Sequence, residues 1–362
     1  MLEPTKPIGL AVIGAGRIGS TRARIASTHP GTRVVAVVDI NVDRAVGLAQ
    51  EVGAELSTDD VVKAVGRPDV DAVLVATPEH THTEPILAAI DAGKAVMSDT
   101  PMALTLEVAR RLASAAEAAK VPYRIAHTPR FQRQWQVAKE NIERGALGRV
   151  LGGTVRVYNS RAQAFQILRR CPFVTPVVDV LVYWIDMVSW FMQGNPVVEV
   201  YARGNGEIFR NAGYPADDIV WATLTYADNA VVAAGIAYAL PEEYPTLGQS
   251  PRLELIGTHG AVVMEDERKN HFMYSEHGVM HGYVPNHAVK AAYLGSSSYG
   301  DWAQGVFWGP LADETRAFVE LVRNGTPAPI PTAAEALRTL EVTLAIEESC
   351  KSGKVIKLPH GQ

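Results

Sequence analysis

Cysteine is nearly absent: Cys171 and Cys350 are the only two in 362 residues. Two thiols cannot build a disulfide framework, so a packed core must supply stability. A basic excess is missing too. The net charge is −5 with a pI near 6.1, and no run of lysine and arginine occurs, which removes bulk attraction to nucleic acid or an anionic membrane. No stretch reaches the roughly 18 uninterrupted apolar residues of a membrane span. The longest, Val177 to Met192, is broken by Asp179 and Asp186. Met1-Leu2-Glu3-Pro4 lacks the charged and apolar regions of a secretory signal. These absences lead to the expectation of a cytoplasmic protein that binds neither nucleic acid nor membrane. Internal repeats and low-complexity segments are lacking as well, which excludes solenoid architectures.

What the chain does have is apolar material, 47% of its residues, enough for more than one core. Ile8 to Ile13 is an apolar run that feeds Gly14-Ala15-Gly16-Arg17-Ile18-Gly19, a G-x-G-x-x-G opening a helical pattern. In such a turn Gly14 permits the tight bend, Gly16 admits a pyrophosphate to the backbone, and Gly19 lets helix and strand pack closely. Arg17 and Ile18 fall at the helix start, whose free N–H groups favour an anion. A second apolar run, Val34 to Val38, ends in Asp39, about 20 residues past the third glycine, as a dinucleotide fingerprint requires. Asp39 is expected to accept hydrogen bonds from a ribose. A carboxylate there repels a 2′-phosphate, and Ile40 and Asn41 bring no positive charge, so NAD is expected over NADP; nearby Arg44 is the one feature pulling the other way.

Downstream, strand-like runs alternate with amphipathic helical stretches: Ala72 to Ala76, Glu84 to Ala92, Ala95 to Met97, Thr105 to Lys120, and Pro122 to Ala126. That alternation implies a parallel sheet covered on both faces. After His127 the pattern changes. A helix over Gln132 to Arg144 precedes strand-like segments at Val150 to Tyr158, Ile219 to Tyr226, Val231 to Ala239, Leu253 to Ile256 and Ala261 to Met264, the signature of a mixed sheet. Helices over Leu311 to Asn324 and Ala333 to Lys351 and a last strand, Val355 to Leu358, follow. The expected fold is α/β, with a dinucleotide-binding domain over residues 1–127 and a second α/β domain over 128–362.

From Pro176 to Gln193 the chain is almost wholly apolar, yet Asp179, Tyr183, Asp186 and Ser189 recur at helical spacing and would share one face. Two readings fit: the stripe lines a cleft, or it meets solvent and Asp186 caps a neighbour. His271, His277, His281 and His287 lie in one short span. Imidazole crowding suggests a metal, but Gly278, Gly282 and Pro285 argue for a loop, so the expectation is no metal site, with a histidine or Lys269 reaching into the cleft instead.

Gly14 to Gly19, Ala76-Thr77-Pro78-Glu79-His80, Ala92-Gly93-Lys94 leading to Asp99-Thr100-Pro101, and Arg144-Gly145-Ala146-Leu147-Gly148 resemble the glucose-fructose oxidoreductase, inositol dehydrogenase and rhizopine-catabolism (Gfo/Idh/MocA) family over nearly the whole chain. The resemblance implies a Rossmann domain followed by a domain with a large open mixed β-sheet, and assembly as a homodimer or homotetramer. It implies a carbohydrate-like small-molecule substrate, oxidised or reduced with NAD or NADP. Carried over by position, Thr77, Pro78 and His80 line the cofactor, as do Asp99, in the place of the family glutamate, and Thr128, in the turn matching the family's Asn-Arg-Arg-Phe. Asp179 matches the substrate-side aspartate and Asp186 a further one. Two departures stand out. Thr100 replaces the family's catalytic lysine, and Tyr183 replaces a histidine. A phenol of ordinary pKa near 10 is a donor at neutral pH, so Tyr183 is expected to donate a proton while Asp179 orients. Arg130, Trp135, Arg161, Arg169 and Arg170 are further pocket candidates, against the commoner reading of each arginine as a plain solvent-exposed side chain. The function expected is hydride transfer between nicotinamide and a ring carbon of a sugar, cyclitol or dihydrodiol. The alternatives are a redox-neutral enzyme with tightly held NAD, performing elimination, glycosidic cleavage or epimerisation, and a non-catalytic sensor of NAD or sugar.

Overall fold

A computed structural model describes residues 6–172, 174–192, 194–265, 272–281, 284–294 and 299–359. Six strands build the first sheet: β1 (Ile8–Ile13), β2 (Thr32–Val38), β3 (Leu56–Thr58), β4 (Ala72–Val75), β5 (Ala95–Ser98) and β6 (Tyr123–Ile125). All pair in parallel, in the order β3-β2-β1-β4-β5-β6. Central β1 and β4 are buried along their whole length, which is why they read as unbroken apolar runs rather than alternating ones. Between the strands run α1 (Arg17–Ser27), α2 (Val42–Val52), α3 (Val61–Val65), α4 (Thr83–Asp91) and α5 (Leu106–Ala119). Asn41, Asp60 and Thr105 cap α2, α3 and α5 by accepting from first-turn N–H groups. The order reverses between β1 and β4, and open α/β sheets bind ligands at that switch point.

A seven-stranded mixed sheet forms the second core. After α6 (Arg133–Glu143) come β7 (Val150–Ser160), α7 (Arg161–Arg170) and α8 (Val182–Phe191), the last preceded by a π turn over Val177–Leu181. Then follow β8 (Val197–Asn205), α9 (Glu207–Asn211), β9 (Ile219–Tyr226), β10 (Val231–Leu240), β11 (Ser250–Gly257) and β12 (Ala261–Glu265). Two hairpins, β13 (Phe272–Met280) with β14 (Ala288–Tyr293) and β15 (Asp301–Ala303) with β16 (Val306–Trp308), precede α10 (Pro310–Asn324), α11 (Ala333–Ser352) and β17 (Ile356–Lys357). The sheet order is β12-β11-β7-β10-β9-β8-β17, and β7 with β10 is its parallel pair. Val155 and Val157 of β7, Leu224 of β9 and Ile236 of β10 pack with Trp135, Trp184 and Leu181 in one core. The opposite face carries exposed Trp221, Val231, Ile256 and Val263.

The chain divides into two compact units, residues 1–131 with 302–337, and residues 132–301 with 338–362. Where the sequence reading draws one boundary after residue 127, the first unit thus regains a later stretch. The reason is visible in its core: Phe318 and Val319 of α10 pack with Ala23 and Ala26 of α1. Among the described residues no helix is long and apolar enough to cross a membrane.

Candidate functional site

In the first unit the fingerprint turn is shaped by close contacts. Gly14 has φ of +98°, and a Cβ there would meet the Ala76 carbonyl oxygen at 2.4 Å; at Gly19 it would meet the Gly14 carbonyl oxygen at 1.8 Å. Only glycine fits either place. Gly16 differs, because a Cβ on it meets nothing within 4 Å. Gly16 is also the N-cap of α1 and offers no side chain to the free N–H groups of the first turn, where Arg17 is exposed and Ile18 half-buried. An open approach to uncapped helix N–H groups is what a pyrophosphate needs.

Asp39, at the end of β2, is buried and ties the turn together. Its Oδ2 accepts from the Ala15 N–H at 2.8 Å, and its Oδ1 accepts from the Asn41 N–H at 2.8 Å and from Arg44 at 2.9 Å. Three of about four acceptor positions are thus filled, leaving room for a ribose hydroxyl. Ile40 beside it is 93% exposed, an apolar surface at the expected adenosine end. At the carboxyl end of β4, Pro78 and His80 are exposed, while the buried Thr77 hydroxyl has no hydrogen-bond partner among the described residues. These residues fit a dinucleotide.

The end of β5 meets a buried polar network. Thr100 is buried and its hydroxyl donates to the Ala126 carbonyl. Asp99 pairs with buried Arg22 of α1 at 3.2 Å; Arg22 also meets Glu314 of α10 at 2.8 Å and donates to Thr315 at 3.0 Å. Thr128 is buried too, and its hydroxyl donates to Glu314 at 2.9 Å. Burial holds the Glu314 carboxyl above its ordinary range, against the opposing Arg22 charge. Arg130 is buried and pairs with Glu335 at 3.3 Å. Sequence reasoning missed this network because its members lie up to 293 positions apart.

In the second unit Asp179 lies within the π turn Val177–Leu181, not in regular α-helix, while Tyr183 lies in the first turn of α8. Such π turns interrupt helices frequently at functional positions. The Tyr238 hydroxyl, from β10, donates to Asp179 Oδ2. Burial first, then the Asp179 charge, pushes the Tyr238 phenol well above its usual value, with Arg170 opposing. Tyr238 therefore stays protonated. Tyr183 is half-buried, its ring edge-on to Tyr299 at 6.2 Å. Tyr299 accepts from Gln249 at 3.1 Å, and Gln249 accepts from the Trp184 indole at 3.0 Å. Asp186 does not share the stripe's exposure: it is wholly buried and accepts from Thr339 at 3.4 Å. Trp135 is a core residue whose indole donates to Gln132. Arg161 donates to the Ala239 carbonyl at 3.0 Å, and Arg169 and Arg170 close the last turn of α7.

The histidine-rich span forms a hairpin around β13 and β14. His277 is exposed, and buried His281 lies 5.7 Å from the His287 ring. His271 and Lys269 lie outside the described residues.

Tyr238 is the residue that sequence reasoning did not find. In the run Val231 to Ala239 it looks like one more core side chain, yet a buried phenol requires a partner.

A parallel sheet in the order 3-2-1-4-5-6, a glycine turn open at Gly16 and an acidic residue closing the second strand define a dinucleotide-binding protein. Residues 8–127 match the model described as the oxidoreductase family, NAD-binding Rossmann fold, and residues 135–263 match the GFO/IDH/MocA C-terminal domain. The chain belongs to the Gfo/Idh/MocA family and is an NAD-dependent oxidoreductase acting on CH–OH groups. It is 26% identical to the scyllo-inositol 2-dehydrogenase (NAD(+)) of Bacillus subtilis (strain 168) over 96% of this chain and 95% of that protein. It is also 26% identical to the 2,7-anhydro-N-acetylneuraminate hydratase of Mediterraneibacter gnavus (strain ATCC 29149), over 75% of this chain and 73% of that protein. The structure of scyllo-inositol dehydrogenase from Lactobacillus casei with bound NAD(H) and scyllo-inositol shares the fold, with a TM-score of 0.79 at 20% identity over 97% of this chain and 99% of that one.

Proposed function

We propose that this enzyme oxidises a secondary hydroxyl on an uncharged, polyhydroxylated ring, a cyclitol foremost, with the first unit holding NAD and the second the substrate. Gly14, Gly16, Gly19, Arg17, Ile18, Asp39, Ile40, Thr77, Pro78 and His80 would hold the dinucleotide, which when bound supplies the hydride acceptor. The observation that carries the reading is the bond from Tyr238 to Asp179, which keeps a half-buried carboxylate in one orientation; Tyr183 as well as Asp179 acts electrostatically on the Tyr238 phenol. As hydride leaves the ring carbon, the hydroxyl proton passes to the Tyr183 oxygen while the Tyr183 proton moves on to Asp179, and in the reverse direction the phenol donates to the carbonyl and takes its proton back from Asp179. Tyr183, more accessible than Tyr238 and braced by Tyr299, is the group that exchanges the proton with substrate and donates it in the reducing direction; Asp179 orients the reacting hydroxyl and holds the relayed proton, and Tyr238 positions Asp179. Thr100 and Thr128, whose hydroxyls are engaged by Ala126 and Glu314, hold the fold and leave proton transfer to the second unit. The relatives named as inositol dehydrogenases support the substrate class.

The second reading is redox-neutral chemistry on tightly held NAD, and the relative named as a hydratase is what favours it. The purified enzyme mixed with NAD and a panel of cyclitols and sugars separates the two, with NADH absorbance followed beside substrate consumption. NADH accumulation is expected. Consumption without NADH establishes the second reading instead, and no consumption of any cyclitol or sugar overturns both. Assembly as a dimer or tetramer through the open sheet face at Trp221, Val231, Ile256 and Val263 belongs to the same proposal; light scattering on a Trp221→Glu variant, expected to give a smaller particle, tests it.

A further inference from the structure

Asn159 stands at the end of the core-facing row Val155, Val157, Asn159 of β7 and is wholly buried. Among the described residues neither its Oδ1 nor its Nδ2 has a hydrogen-bond partner. Buried polar groups are almost always satisfied, so an amide with both ends open calls for an explanation. Its location supplies one. The pairs Val157↔Ile236 and Tyr158↔Ala237 are followed by a register shift before Ser160↔Leu240, so Asn159 lies opposite the Tyr238–Ala239 step of β10. Neighbouring strands run about 4.8 Å apart, so the Asn159 backbone adjoins that of the residue whose phenol holds Asp179. Gln163, in the first turn of α7, is buried with its Oε1 also unpartnered among the described residues. Arg161, between them, fixes the start of α7 to the end of β10 through the Ala239 carbonyl.

We infer that Asn159, assisted by Gln163, is the part of the substrate site that reads hydroxyl groups flanking the reacting carbon. A carboxamide presents one acceptor and two donors and carries no charge. It therefore matches a pair of neighbouring hydroxyls on a neutral ring and offers a phosphate or a carboxylate no opposing charge. The inference rests on the dehydrogenase reading above and adds the feature recognised, a vicinal diol.

The test is Asn159→Leu, which keeps the branching at Cγ and removes both polar ends, assayed with NAD and with myo-inositol, scyllo-inositol and D-glucose. Without polyol, the variant's melting temperature is expected to rise by about 2–4 °C, because an unpaired buried amide has been removed. Its KM for whichever polyol the wild type uses is expected to rise about tenfold or more, with NAD affinity unchanged. Asn159→Asp, which retains shape and acceptors but loses the donor, is expected to show a raised KM as well. A lower melting temperature without polyol overturns the inference by showing the amide to be structural. An unchanged KM in the Leu variant overturns it too, and then a bound water is the amide's partner. A wild type that none of the three polyols stabilises and that turns over none of them defeats the dehydrogenase reading and this inference with it.

Discussion

The Tyr238 hydroxyl donates to Asp179 Oδ2, joining β10 to the π turn that leads into α8. That bond ties the one acidic side chain of the proposed substrate site to the rigid centre of a seven-stranded sheet. Tyr238→Phe removes the donor and keeps the ring. A hydrogen bond to a charged group is worth about 1.5–3 kcal/mol, so kcat/KM is expected to fall roughly 10–100-fold. NAD affinity, measured by calorimetry, stays the same. Tyr183→Phe is expected to cost more in kcat, on the order of 100-fold or beyond, since it removes a proton donor. Full turnover by Tyr183→Phe sinks the assignment of roles.

Asp39 and Arg44 make a second pair with a measurable consequence. Arg44 is about half exposed and held by Asp39 at 2.9 Å. Asp39→Ala frees the guanidinium and removes the carboxylate that repels a 2′-phosphate. The expected outcome is a loss of NAD affinity of about tenfold or more, with NADP affinity rising relative to NAD. Fluorescence titration with both cofactors reads the ratio, and a ratio unmoved by the change excludes Asp39 from the ribose site.

Thr100 distinguishes a structural from a chemical role cleanly. Its hydroxyl donates to the Ala126 carbonyl, so Thr100→Val leaves that buried acceptor unpaired. The loss of stability is expected to be about 1–3 kcal/mol, seen as a lower urea midpoint, with kcat retained. A variant of native stability and abolished kcat shows instead that the hydroxyl takes part in the reaction.

The legible part of this molecule is what short-range chemistry dictates. The expected strand Ile219 to Tyr226 is observed with those bounds, and Ala72 to Ala76 and Ala95 to Met97 shift by one residue, because buried strands read as apolar runs between turn residues. The fingerprint spacing from Gly19 to Asp39 was equally plain, since a β-α-β unit fixes it. Periodicity makes the stripe within Pro176 to Gln193 one regular helix, and a π turn cannot be seen in side-chain periodicity. That is why Asp186 was grouped with Asp179 although it is buried against Thr339. Long-range polar pairs were invisible for another reason. Nothing local distinguishes Tyr238 from a core tyrosine, Asn159 from a strand-end amide, or Arg22 from a surface arginine on α1, until the fold brings up their neighbours or withholds them.

Arg22 yields the last prediction. It is 2% exposed and answers two carboxylates, Glu314, wholly buried, at 2.8 Å and Asp99 at 3.2 Å. Arg22→Met leaves Glu314 with the Thr128 hydroxyl in place of a cation. Breaking a buried pair from one side costs on the order of 3 kcal/mol at neutral pH. The pH dependence has a definite sign. Burial already raises the Glu314 carboxyl and Arg22 opposes that rise, so removing Arg22 lifts it further, with Asp99 adding in the same direction. A carboxyl raised on folding contributes stability below its unfolded value, about 4.3, and loses that contribution as pH climbs through its folded value. The deficit of Arg22→Met relative to wild type is therefore largest at pH 7–8 and shrinks on acidification toward pH 5. Adding Glu314→Gln to the variant removes the buried charge, so it should recover part of the loss at neutral pH and flatten the profile. Urea unfolding of the three proteins from pH 5 to 8 reads both effects, and a deficit that stays constant with pH shows that Glu314 does not carry it.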